Sequence, residues 1–172
     1  MIRILPTALL LGLAGAASAQ NAGPTVADLR TPAGQLVARA MVYQTPAGLA
    51  VRVQAQGLAP GHYGAHLHAV GRCEGPDFAS AGPHWNPTDR HHGTLNPDGH
   101  HLGDLPNLDV AADGGGRVEF TITGAEMTGA MGLFDADGAA IVIHAAPDDY
   151  RTDPSGNSGA RIACAVLTAP TP

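Results

Sequence analysis

The chain has 172 residues, a formal charge of −6, nine arginines and no lysine. That length fits one domain, and no basic patch or aromatic stripe points to nucleic acid. With 23 glycines, 14 prolines and two cysteines, the composition favours short, turn-punctuated elements over long helices or a disulfide scaffold.

Residues 1–19 have the form of a secretory signal: Arg3 at the start, an apolar run from Ile4 to Ala17, and the small-x-small site Ala17-Ser18-Ala19. The run is too short to span a bilayer, so residues 20–172 are expected as an exported domain, free of the membrane after cleavage and placed in the periplasm. In an oxidising compartment Cys73 and Cys164 are expected to pair. Closing a loop of about ninety residues would stabilise the fold by roughly 4–5 kcal/mol in the chain-entropy account.

Asn21 to Pro24 reads as a linker. Leu36 to Tyr43 is a β-rich run, and Pro46-Ala47-Gly48 turns it into a second strand. In that strand Leu49, Val51, Val53 and Ala55 alternate with Ala50, Arg52, Gln54 and Gln56, the period of a half-buried strand. A turn at Leu58-Ala59-Pro60-Gly61 leads into Gly64 to Ala69. Val118, Phe120 and Ile122 alternate with polar residues, and Ala139 to His144 and Arg161 to Leu167 complete the set. No stretch carries a capped 3.6-residue apolar stripe. Seven or eight short strands predict an all-β sandwich or barrel. Two connections are long, Val70 to Leu108 and Ala145 to Ala160, and loops of that length are usually functional.

Eight of the nine histidines fall between Gly61 and Asp104; the ninth is His144. His66 and His68 are spaced i, i+2, so on a strand both rings leave one face. His84, His92, His101 and Asp104 lie in irregular chain that could wrap a second ion. An all-nitrogen set suits copper, zinc, iron or nickel, and three histidines with one carboxylate suit zinc.

His66-x-His68, Gly82-Pro83-His84, His92, His101, Gly103-Asp104-Leu105, His144 and Gly156-Asn157-x-Gly159-x-Arg161-x-x-Cys164 together resemble the copper/zinc superoxide dismutases of the bacterial exported type. The resemblance runs from about Val37 to Leu167. It implies an eight-stranded Greek-key β-barrel, an immunoglobulin-like sandwich architecture, and disproportionation of superoxide to dioxygen and hydrogen peroxide by a redox-cycling copper. It also implies copper on His66, His68, His84 and His144, and zinc on His84, His92, His101 and Asp104. His84 is then shared as an imidazolate, made accessible by two flanking cations. Asp148, rather than Asp149, is expected to accept N–H bonds from His66 and His92 and fix their tautomers. Arg161 is expected to draw in the anion, with His84 as the proton-carrying group.

His62, His91 and His100 are expected at the surface. Only sixteen residues separate His144 from Arg161, fewer than in animal relatives, and without lysine the steering cations would be Arg72, Arg90 and Arg151. A non-catalytic copper-binding or copper-transfer protein of the same fold is the alternative. Monomer and homodimer both stay open. No Ser-His-Asp or His-Glu-x-x-His signature supports a hydrolase.

Overall fold

The computed structural model describes residues 23–129 and 131–170; the signal sequence expected at residues 1–19 lies outside them. Nine strands form: β1 (Thr25–Arg30), β2 (Leu36–Thr45), β3 (Gly48–Ala55), β4 (Gly61–Tyr63), β5 (Ala65–His68), β6 (Leu108–Val110), β7 (Arg117–Thr123), β8 (Ala139–His144) and β9 (Arg161–Leu167). One 3₁₀ turn, Ala79–Ala81, is the sole helical element among the described residues. β4 and β5 are parted only by Gly64, so the strands occupy the eight positions expected of the fold.

The main sheet is antiparallel, in the order β5-β8-β9-β1-β2-β3-β7, and β4 pairs with β6. Neighbours distant in sequence, β3 beside β7 and β5 beside β8, mark crossovers of the Greek-key kind. β6 packs near β7, so β4 and β6 join the two ends of the sheet and it curls on itself. Alternation explains which faces are inside. Leu49, Val51 and Val53 are fully buried, as are Ile141, Ile143 and Leu67, and they meet in one core. β8 is buried at every position because its second face meets Phe78, Ala81 and Cys164 under the loop after β5.

The free edge of β5 positions the functional residues. No strand among the described residues pairs there. Instead the long connection folds back along it, with bridges His66↔Asp104 and His68↔His84. Leu67 N donates to Gly103 O (2.9 Å), Trp85 N to Leu67 O (2.8 Å), and Gly103 N to Trp85 O (2.9 Å). These bonds satisfy the edge and bring residues far apart in sequence into one place. A Cβ on Gly103 would run into the Leu67 carbonyl, so close backbone approach requires glycine there.

β1 was not expected, since residues 21–24 read as a linker before a first strand at Leu36. Its sequence, TVADLR, turns Thr25, Ala27 and Leu29 inward and leaves Val26 exposed, so its apolar alternation is weak. Asp28 is held by Arg39 on β2, at 2.8 Å. The expected Cys73–Cys164 disulfide is present, with Cα atoms 5.7 Å apart. It pins the loop after β5 to β9.

Candidate metal centre

Six histidines and two aspartates meet at the β5 edge, all of them buried: His66, His68, His84, His92, His101 and His144 with Asp104 and Asp148. Their ligand atoms form three groups with separations under 4.8 Å: His66, His68, His84 and His144; His84, His92, His101 and Asp104; His66, His92 and Asp148. His84 belongs to the first two.

Hydrogen bonding decides which nitrogen each ring offers. His66 Nε2 donates to Asp148 Oδ2 (2.9 Å) and His92 Nε2 to Asp148 Oδ1 (3.0 Å). His68 Nδ1 donates to Gly82 O (2.9 Å) and His144 Nδ1 to Gly159 O (3.2 Å). The opposite nitrogens, His66 Nδ1, His68 Nε2, His92 Nδ1 and His144 Nε2, are buried with no hydrogen-bond partner, and so is His84 Nε2. Buried polar atoms are rarely left unpaired, and five lone-pair nitrogens in one place are a donor set suited to a cation. The orphaned nitrogens of His66, His68, His84 and His144 form one four-nitrogen set.

The second set gathers on Asp104. Its Oδ2 accepts from the backbone N–H groups of Gly93 (2.9 Å) and His101 (3.0 Å). Its Oδ1 lies 2.9 Å from His84 Nδ1, 3.0 Å from His92 Nδ1 and 3.2 Å from His101 Nδ1, and the last is 3.4 Å from His84 Nδ1. With metal–ligand bonds near 2.05 Å, a tetrahedral shell has edges of about 3.3 Å. The set matches that scale. His92 Nδ1 makes no hydrogen bond to Asp104 despite the short separation; two acceptors face each other, which requires a proton or a metal between them.

The electrostatics agree. Burial pushes His68 down to about 2, His144 to about 3 and His84 to about 4, the last against the pull of Asp104. These rings are neutral at physiological pH and keep a lone pair. Burial also opposes charge on His92, but the Asp104 and Asp148 carboxylates beside it outweigh burial and raise the ring to about 9. That reflects the field of two buried carboxylates, the field that would hold a dication. Burial alone would raise both carboxyls. The rings of His101, His84 and His92 around it hold Asp104 well below the usual carboxylate range, and donors from His66 and His92 lower Asp148. The donor set therefore fits copper in the all-histidine group and zinc in the group carrying Asp104.

A cleft of about 930 Å³ opens onto this centre, with His84, His101, His144, Arg90 and Arg161 in its wall. Arg161 Nη1 donates to Phe78 O and Nη2 to Gly82 O, both at 2.7 Å, which leaves three of its five N–H donors for another ligand. Among the described residues Arg72, Arg90, Arg151 and Arg161 form no ion pair, whereas Arg30, Arg39, Arg52 and Arg117 do. Of the three substitutes expected to steer, only Arg90 lines the cleft.

Of the three histidines expected at the surface, His62 and His91 lie there and His100 is half-buried. His62 is exposed and 2.6 Å from Asp109; His91 is exposed and 3.7 Å from Asp153; His100 turns to His101 O. Burial thus selects His92 and His101 over their neighbours. Asp149 is exposed and bonds to Thr152 and Asn157. Asn107 and Tyr150, which hold Asp148 in place, carried no motif that the sequence could reveal.

Comparison with known proteins points the same way. Residues 36–167 match the family described as copper/zinc superoxide dismutase (SODC). "Superoxide dismutase [Cu-Zn]" of Caulobacter vibrioides is 45% identical, over 73% of this chain and 75% of that protein. "Superoxide dismutase [Cu-Zn] 1" of Aquifex aeolicus is 40% identical, over 83% and 86%. The crystal structure of a SOD-like protein from Bacillus subtilis superposes with a TM-score of 0.78 and 40% identity, covering 83% of this chain and 97% of that one. The chain belongs to the copper/zinc superoxide dismutase family.

Proposed function

We propose that this protein disproportionates superoxide, converting two superoxide anions and two protons into dioxygen and hydrogen peroxide. His66, His68, His84 and His144 hold copper; His84, His92, His101 and Asp104 hold zinc. The observation that carries this assignment is the orientation of His84. Its Nδ1 faces Asp104 and its Nε2 faces the other three histidines, so one ring addresses two separate donor sets. Bound there, copper supplies a one-electron redox couple and zinc a fixed positive charge without redox chemistry.

The chain's own residues do the rest. Arg161 presents its remaining donors to the cleft, where a small anion can be held by a planar, permanently charged fork. Its two bonds to Phe78 O and Gly82 O fix the guanidinium in advance, so little order is lost on binding. Gly82 serves twice: its carbonyl accepts from both Arg161 and His68, which couples the anion-binding group to a copper-site ring. His84 Nε2 is the atom that takes up and returns a proton, since the other rings of its set give their second nitrogen to Asp148 (His66), Gly82 O (His68) and Gly159 O (His144), whereas the second nitrogen of His84 faces the other donor set. Asp148 keeps the Nε2 protons on His66 and His92, so their Nδ1 lone pairs stay inward.

The disulfide supports an oxidising compartment, and with the leader-like residues 1–19 it supports export to the periplasm. The non-catalytic copper-binding alternative has no observation in its favour, because the cleft and Arg161 are both in place. Superoxide decay followed by stopped flow tests the proposal. Protein loaded with copper and zinc should accelerate decay, and protein loaded with zinc alone should not. Equal decay with and without copper would contradict it.

A further inference from the structure

Asp148 joins the two donor sets through one carboxylate, yet it lies in the sixteen-residue connection between β8 and β9 and does not belong to a strand. A side chain outside that connection fixes it. Asn107 Oδ1 accepts from Asp148 N (2.8 Å) and Asn107 Nδ2 donates to Asp148 O (3.0 Å). One amide thereby satisfies both backbone groups of a single residue, as a neighbouring strand would. Asn107 N also donates to the Tyr150 hydroxyl (2.8 Å). Tyr150 N donates to Asp148 Oδ1 (2.7 Å), and Tyr150 O accepts from Leu95 N (3.0 Å). The residue pair thus links three chain segments around the carboxylate. Tyr150 adopts φ 61° to do so, a left-handed conformation unfavourable for a side chain of that size.

We propose that Asn107 is a positioning residue for both metal sites: it clasps the Asp148 backbone and so sets the carboxylate that orients His66 and His92. The proposal rests on reading those two histidines as metal ligands. Only a primary amide fits, because the clasp needs an acceptor for Asp148 N–H and a donor for Asp148 C=O at one spacing. Aspartate would keep the shape and the acceptor but turn an oxygen toward the carbonyl.

The test compares wild type, Asn107→Ala and the isosteric Asn107→Asp. Zinc affinity is measured by chelator competition, the copper site by its visible and EPR spectra, and folding by thermal unfolding of the metal-free, disulfide-intact protein. Both variants should bind zinc about tenfold more weakly. Their copper spectra should also shift, although Asn107 touches neither set of ligands. Wild-type zinc affinity together with a wild-type copper spectrum in a folded variant would overturn the proposal, as would loss of unfolding temperature alone. If neither variant folds, amide hydrogen exchange in the wild type decides. Asp148 N–H should exchange at least tenfold more slowly than the exposed Ala112 amide, which donates no hydrogen bond among the described residues; equal rates would overturn the clasp. A wild type lacking two-metal spectra would instead refute the site assignment itself.

Discussion

Gly156 offers a sharp perturbation because two separate penalties can be told apart there. It adopts φ +63°, and a Cβ would overlap Asp148 Oδ1 and stand 2.7 Å from His92 Nε2. Gly124 adopts a similar φ of +73° with nothing within 4 Å of a built Cβ. Gly124→Ala therefore reports backbone strain alone, about 1 kcal/mol. Gly156→Ala adds displacement of a buried carboxylate that accepts from His66 Nε2, His92 Nε2 and Tyr150 N. Losing even one hydrogen bond to a charged group costs about 1.5–3 kcal/mol, so with the strain the total is about 2.5–4 kcal/mol. That is a large share of the about 5–15 kcal/mol stability of an ordinary domain. Urea unfolding of the metal-free, disulfide-intact variants measures both values. Gly156→Ala should fall short of Gly124→Ala by about 2 kcal/mol and should lose zinc affinity as well. Equal midpoints and equal zinc affinity would refute the claim that Asp148 is held by tight packing against this loop.

Arg161→Gln should slow turnover about tenfold at low ionic strength with copper and zinc contents unchanged, since Arg161 carries the cleft's charged fork and supplies no ligand atom. Full activity in steady-state assays would remove Arg161 from anion guidance. The wild-type rate should fall as salt rises, and a flat profile would show that Arg90 and Arg161 do not steer. Metal-free protein should lose stability on acidification. His68, His84 and His144 are neutral when folded but accept protons near pH 6.5 when unfolded, so their contribution is present above about 6.5. It declines as pH falls toward about 4, by about 1.4 kcal/mol per pH unit for each proton taken up on unfolding. His92 has the opposite sign, and its contribution is lost as pH rises through about 9. Thermal unfolding across pH 4–10 checks both slopes. Replacing both Cys73 and Cys164 by serine should destabilise the protein by roughly 4–5 kcal/mol and loosen the loop that carries Phe78 and Gly82.

The parts of this molecule readable in its sequence are those with a short period or a crowded chemistry. Leu49 to Ala55 alternate, and the strand follows; His66 and His68 share a face because they are two residues apart on β5. β1 stayed hidden because its inward face is Thr25, Ala27 and Leu29 while apolar Val26 faces out, so alternation hardly marks it. Choosing His92 over His91, and His101 over His100, needed spacing borrowed from relatives, since adjacent histidines differ only in which way the backbone turns them. Burial separates them at once. Gly156 could be seen in a motif, but its reason lies in contact with Asp148, eight residues earlier and across a loop. Asn107 follows Pro106 with no neighbour to mark it, and its partner is 41 residues away. Such tertiary hydrogen bonds leave no periodic trace.

In the proposed function His84 joins two metal ions through its two nitrogens. That link is tested most directly by filling both sites with copper and recording the EPR spectrum. A shared imidazolate should couple the two ions magnetically and suppress the signal of isolated copper, and His84→Ala should restore it. Two independent copper signals from wild-type protein with both sites filled would contradict the account.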